Sequence, residues 1–290
     1  MAQRRLVRQL LRSPAALVSG AVVAIYVAVA LCAGFLAPHN PYDLSTLSLR
    51  DGLKPPAWMS GGDSRFLLGT DRQGRDVLST ILFGLRSSLT IGFGAVLVAC
   101  VIGGVLGLLA GYYGGILGSV VMRVADIVFS FPATLVAILL MGLLGRSGVG
   151  ALILAVAGIY WVRYARTMRA KVLMEKERDY IQAARAAGCS GLRILSRHLL
   201  PNCVSPLVVL ATVDIATVIM LEATLSFLGI GVPITEPSLG QMIYTGKNYL
   251  MSGKWWLTVF PGAALVLFVV TVNLLGDWIR LELSPRTHVL

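Results

Sequence analysis

An all-α, polytopic membrane helix bundle of about six transmembrane helices is what the sequence predicts, and three observations predict it. Hydrophobic residues fill 56% of the 290 positions and charged residues only 13%, with a mean hydropathy of +0.78; a soluble core does not need that much apolar sequence. The apolar residues are gathered into runs of about 20, the length that crosses roughly 30 Å of hydrocarbon at helical rise. The basic residues behind the net charge of +11 flank those runs instead of forming a domain of their own.

Taken in order, residues 1–14 form a basic N-terminal segment carrying Arg4, Arg5, Arg8 and Arg12. The apolar run that follows is too long for the h-region of an ordinary secretory signal, so residues 15–37, Ala15 to Ala37, read as an uncleaved first span. Residues 38–86 are rich in Pro, Gly, Asp and Ser, and read as an external loop long enough to fold over the mouth of a bundle. Residues 87–290 form the core. Its spans are marked at Leu89–Gly111, Val124–Leu144, Cys203–Leu228 and Leu257–Ile279, with a polar loop at 169–201. One further run, Gly148–Val162, is short before Arg163 interrupts it. It is either re-entrant or a helix with Arg163 and Arg166 at the membrane boundary; we read it as a span, because six crossings return both termini to one side.

That reading segregates charge. Of the 25 Lys and Arg residues, sixteen fall at the N-terminus, at Arg123, between Arg163 and Arg197, or at Arg280 and Arg286, while six of the remaining nine share the 38–86 loop with five aspartates. Basic residues beside spans resist translocation, which places both termini and the 169–201 loop in the cytoplasm. The net charge is then mainly a topology signal, with attraction to anionic lipid second, and gives no support to nucleic-acid binding.

Within the loop, Glu175 to Pro201 is both charged and helical in pattern. Tyr180, Ala183, Ala184 and Ala187 repeat at i, i+3, i+4 and i+7, a narrow stripe of small side chains beside one ring that suits close approach to a partner. Gly188 suits a helix C-terminus, Ser190 a second N-cap, and Pro201 a stop, giving a helix-turn-helix in water. By spacing alone an ordinary solvated connection reads equally well.

The stretch resembles the cytoplasmic loop of the membrane subunits of binding-protein-dependent ABC importers, whose pattern is Glu-Ala-Ala, three residues, Gly, nine residues, Ile, one residue, Leu-Pro. Here it is Gln182-Ala183-Ala184, Gly188, His198, Leu200-Pro201, in register, with Gln for Glu and His for Ile. Leu68-Gly69-Thr70-Asp71, Gly74-Arg75-Asp76-Val77, Leu221-Glu222-Ala223, Leu225 to Gly229, Asn273 to Asp277 and Pro285-Arg286 are similar to the C-type permease of the peptide and nickel importer subfamily. The resemblance implies a coupling helix contacting an ATPase through Tyr180, Gln182, Ala183, Ala184, Ala187, Gly188, Leu200 and Pro201. It also implies a second permease subunit completing a heterodimeric pore, two cytoplasmic ATPase subunits that bind ATP and Mg, an external substrate-binding protein, and a bacterial or archaeal inner membrane. The implied cargo is di- or oligopeptides, with nickel, opines or glutathione as alternatives on the same fold. A stand-alone channel or secondary carrier is the alternative of a different class.

Other features carry less. Ala95, Ala99, Gly103, Gly107, Gly111 and Gly115 recur every fourth residue, a smooth stripe for close helix packing, either within this chain or against a second permease. Asp214 and Glu222 are costly at membrane depth and lie about 80° apart around the helix axis; they either line a translocation path or hold the fold. Arg123 and Asp126 read as an interfacial ion pair, and Pro132 as a kink. Gly145-Arg146-Ser147-Gly148 matches an intramembrane serine protease pattern, yet His39, His198 and His288 all lie outside the spans, so it reads as an external turn. No Gly-x4-Gly-Lys-Ser/Thr loop is present, and the four cysteines suggest neither disulfide nor metal site. The expectation is therefore no catalytic residue, no metal and no cofactor in this chain.

Overall fold

The computed structural model describes residues 13–43, 47–145, 148–233 and 236–283; the basic arm at Arg4–Arg12, the Arg146-Ser147 turn and Pro285-Arg286 lie outside them. Among the described residues the regular structure is helical, with one isolated β-bridge between Thr70 and Asp76.

Helix α1 spans Pro14–Leu31, opened by a proline in its first turn, where no donor is lost, and by Ser13, whose hydroxyl accepts from the Ala16 amide at 3.4 Å. Helix α2 spans Val77–Tyr113. It starts earlier than hydropathy suggests: the Asp76 carboxylate caps it, accepting from the Ser79 amide at 2.8 Å and the Ser79 hydroxyl at 2.6 Å. The external loop therefore ends at Asp76 and not at Arg86, because a cap and not an apolar window sets the boundary. At 37 residues α2 is about 55 Å long and projects beyond the hydrocarbon.

The third span differs most from expectation. In place of one kinked helix there are two, α3 (Gly115–Phe129) and α4 (Ala133–Leu144), bent by 103° where Pro132 interrupts the chain. The short span proves long: α5 runs unbroken over Val149–Glu175, with Arg163 near the middle of the helix. Then follow α6 (Asp179–Ala186), α7 (Ser205–Phe227), α8 (Leu239–Lys247) and α9 (Trp256–Leu283).

Contacts fix the direction of each helix. Gly94 of α2 meets Ile153 of α5, Gly103 meets Trp161 and Tyr164, Gly107 meets Ala165 and Met168, and Gly111 meets Val172, so α2 and α5 run parallel. Ser88 meets Glu222, Gly92 Ile219 and Gly104 Leu207, so α7 is antiparallel to α2. Gly20 meets Leu275 and Tyr26 meets Ala264, so α1 opposes α9. Gly276 against Val213 and Thr212, with Phe268 and Val272 in one cluster with Ala216 and Ile219, sets α9 against α7. Two parallel neighbours in sequence require the segment between them to return across the layer. The broken pair α3–α4 is thus the third of six crossings, and α6 with the ends of α2, α5 and α9 shares one end of the bundle.

The glycine stripe lies in the α2–α5 seam. A Cβ on Gly103 would overlap the carbonyl oxygen of Trp161, and one on Gly107 that of Ala165, while on Gly111 it would sit 2.8 Å from Val172 Cβ. Packing within this chain is what the stripe serves, as far as Gly111; Gly115 has left it, at φ 52° as the first residue of α3.

At the opposite end the 47–76 loop is laced by charge. Lys54 Nζ lies 2.6 Å from Asp51 Oδ1 and 2.9 Å from Asp63 Oδ2, and Arg65 Nη2 lies 2.7 Å from Asp63 Oδ2. Asp63 is held well below the usual carboxylate range by hydrogen bonds from Arg65 and then Lys54. Arg75 Nε lies 2.8 Å from Asp71 Oδ2.

Candidate functional site

The segment joining α5 to α7 is a helix, a left-handed turn and a second helical stretch. Helix α6 ends at Gly188, φ 76°, where the Gly188 amide donates to Arg185 O at 3.0 Å and the Cys189 amide to Ala184 O at 3.1 Å, the double bond that closes a helix with glycine. Ser190 occupies the next N-cap position without a side-chain bond. Pro201 does not stop the second helix: Gly191–Arg193 passes into a π-helical stretch, Ile194–Leu199, and on through Leu200–Cys203 to α7. The widened π turn shifts the hydrogen-bond register just where Pro201 has no amide hydrogen to give.

The segment is anchored to the bundle on one side. Ile181 and Ala184 are buried with Val172, Ile194, Leu195, Leu199 and Cys203. Ala184 was expected on an outward face; it turns inward because α6 uses its i, i+3 pair of Ile181 and Ala184 as a core stripe. Gln182, Ala183, Ala187, Gly188, Leu200 and Pro201 remain exposed, as do Ala186 and Leu192, the last 75% exposed and not singled out by spacing.

A polar clamp sets the angle of α6. The carboxylate of Glu175, the last residue of α5, accepts from Tyr180 Oη at 2.8 Å and Lys171 Nζ at 3.0 Å, and Asn202 Nδ2 reaches Tyr180 Oη at 3.4 Å. Tyr180, expected as a contact ring and 37% exposed, also serves as a hydrogen-bonding strut between α5, α6 and the approach to α7. Desolvation, then the bond to Glu175, pushes its phenol up to about 12, so it stays a donor across the physiological range. The i, i+5 spacing of Glu175 and Tyr180 is the only trace of this in the sequence. Arg185 lies 5.8 Å from the Tyr112 ring, tying the segment to the end of α2.

Inside the bundle, Asp214 is fully buried and paired with Arg163 across α7 and α5. Glu222 is fully buried too, accepting from Ser88 at 3.0 Å and Ser226 at 2.8 Å. Each is bonded within the chain. Asp126 pairs not with Arg123 but with Arg166 at 2.7 Å, α3 and α5 meeting through Val121, Ala125, Val162 and Ala165; Arg166 also stacks 4.7 Å from the Phe129 ring. Among the described residues no group of three His, Cys, Asp or Glu could hold a metal ion.

Two family models match the chain: binding-protein-dependent transport system inner membrane component over residues 103–289, and N-terminal TM domain of oligopeptide transport permease C over 3–56. A dipeptide transport system permease protein of Haemophilus influenzae is 38% identical over 271 residues, covering 93% of this chain and 90% of that one. A di/tripeptide transport system permease protein of Pseudomonas aeruginosa is 40% identical over 258 residues, covering 89% and 83%, and the Escherichia coli dipeptide permease is 39% identical over 276 residues, covering 95% and 90%. Among solved structures, an inward-facing MetNI methionine ABC transporter shares the fold with a TM-score of 0.57 at 23% identity, over 71% of this chain and 97% of that one. Six crossings, an outward-facing helix-turn-helix held at one end, and these matches converge: the chain belongs to the binding-protein-dependent transport system inner membrane components, the permease subunits of ABC importers.

Proposed function

We propose that this chain forms half of a heterodimeric pore importing di- or oligopeptides, and that α6 and its turn are the contact through which a separate ATPase drives it. The observation that carries the reading is the anchoring of the segment. Ile181, Ala184 and the Glu175–Tyr180 strut fix one face to α5 and α7, while Ala183, Ala187 and Gly188 leave the other bare. A push on that face is handed to two spanning helices at once. Seven of the 25 Lys and Arg residues fall between Arg169 and Arg197 at this end, which supports a cytoplasmic orientation.

ATP and Mg are then bound by two partner ATPase subunits, and ATP-driven closure shifts the permease between inward-facing and outward-facing populations. A second permease completes the pore and an external binding protein delivers cargo; peptide is favoured by the relatives' names and their coverage. The test is purification of the tagged chain with its partners, and ATP-driven tripeptide uptake in proteoliposomes supplied with binding protein. Co-purification of ATPase lost in Ala183→Glu, with the protein still inserted, is the expected result. A lone chain moving solute without ATP would overturn the reading.

A further inference from the structure

We propose that the elbow between α3 and α4 holds a transit subsite for a carboxylate of the cargo, built from Arg163, Tyr160 and the first turn of α4. The inference rests on the importer reading and adds a place and a chemistry to it.

A cavity of about 410 Å³ opens at the elbow, lined among others by Phe129, Phe131, Ala133, Ile159, Tyr160 and Arg163. Arg163 stands near the middle of α5, about 20 Å from either end. One of its Nη atoms holds Asp214, yet its side chain is 39% exposed and turned to the cavity, leaving other guanidinium donors free to serve a second acceptor. Tyr160 is 7% exposed and its hydroxyl makes no hydrogen bond among the described residues, although it lines the same space. Helix α4 begins there at Ala133 with no side chain capping its first turn, so amide donors and the positive end of the helix dipole face the opening.

Lipid does not suit such a face. Broken backbone and charged groups within a spanning segment persist where they border protein or a water-filled cavity, and the start of the second half of a broken span is a recurrent place for an anionic group. The local carboxylates are already matched, Asp214 by Arg163 and Asp126 by Arg166. A visiting anion therefore meets spare donors but no uncompensated cation, which suits a site that must release what it holds. The aromatic walls of Phe129 and Phe131 exclude few side chains, so the feature recognised is the carboxylate that free peptides share.

The experiment uses the complex reconstituted with its partners, its four native cysteines replaced by alanine and Phe131→Cys introduced, with Ala133→Cys as a second position should the first impair assembly. Labelling by anionic and cationic membrane-impermeant thiosulfonates is compared. The subsite predicts that the anionic reagent reacts faster, by roughly tenfold after correction for intrinsic reactivity, the factor that one hydrogen bond to a charged group supplies. It also predicts that Tyr160→Phe and Arg163→Lys reduce this preference, and that triglycine during turnover slows labelling more than its C-terminal amide. An unreactive cysteine at both positions, a cationic preference, or a preference untouched by both substitutions would overturn the subsite. ATP-driven uptake by the same preparation reports separately on the importer reading, so the two can fail independently.

Discussion

Gly107→Ala adds one methyl group at one of the two tightest points of the α2–α5 seam. Built on the native backbone, that carbon would overlap Ala165 O and lie 2.8 Å from Met168 Cβ and 2.9 Å from Ala165 Cα, all atoms close to or within the α5 backbone. None can rotate aside, so the helices must separate along a seam that also contains Gly103 and Gly111. Overpacking of this kind costs about 1–3 kcal/mol, and helix propensity returns at most about 1 kcal/mol. At a mid-range cost of about 2 kcal/mol, the net loss is about 1 kcal/mol, a fall in apparent Tm of roughly 2–4 °C. Gly104→Ala is the control from the same helix: its nearest neighbours are Leu207 Cδ2 at 3.3 Å and Met168 Cε at 3.9 Å, ends of flexible side chains. Gly142→Ala, with nothing within 4 Å, is the second control. Thermal unfolding of the three variants in one detergent, followed by size-exclusion recovery, gives the ranking. Gly107→Ala as stable as the two controls would refute the claim that the stripe is an intrachain seam.

Arg163→Leu strands a fully buried Asp214 carboxylate and should destabilise by about 3–5 kcal/mol, toward the lower figure because the guanidinium is partly exposed, whereas Arg163→Leu with Asp214→Leu should recover most of the folded yield; equal yields for single and double variants would contradict the pairing. Tyr180→Phe removes the strut's hydroxyl and not its ring, so it should raise ATP hydrolysed per peptide imported while subunit stoichiometry stays unchanged; an unaltered ratio would exclude the strut from coupling. Ala184→Glu should abolish folded protein, while Ala183→Glu, on the exposed face, should spare folding and lose the ATPase, as read by co-purification. In the external loop, Asp51 and Asp63 have pKa values lowered from 3.8 by their basic partners. Stability from a lowered carboxylate is present above its unfolded value and lost as pH falls through the folded one, so limited proteolysis of the loop should be unchanged from pH 7 down to about 4.5, whereas Lys54→Met should speed cleavage at neutral pH.

Particular residues show where sequence suffices. Hydropathy runs and basic flanks located α7, α9 and the start of α1 to within a few residues, because a span's length is dictated by bilayer thickness and needs no partner. The turn at Gly188 was legible because a left-handed residue ends a helix locally. Spacing also marked Gly103, Gly107 and Gly111 as a stripe, but not the helix they face.

What the sequence determined by itself was therefore local or set by the membrane: the class of fold, the number of crossings, the capped and broken ends, and the segment left in water. Tertiary structure decided what depends on residues far apart in the chain. It paired Arg163 with Asp214 and Asp126 with Arg166, turned Ala184 inward, made Tyr180 a strut, and broke the third span by 103°. The physical reason is rotational: periodicity tells which residues share a face of a helix, while which way that face turns is fixed only when a neighbouring helix packs against it, here the parallel α2 and α5 across their glycine seam.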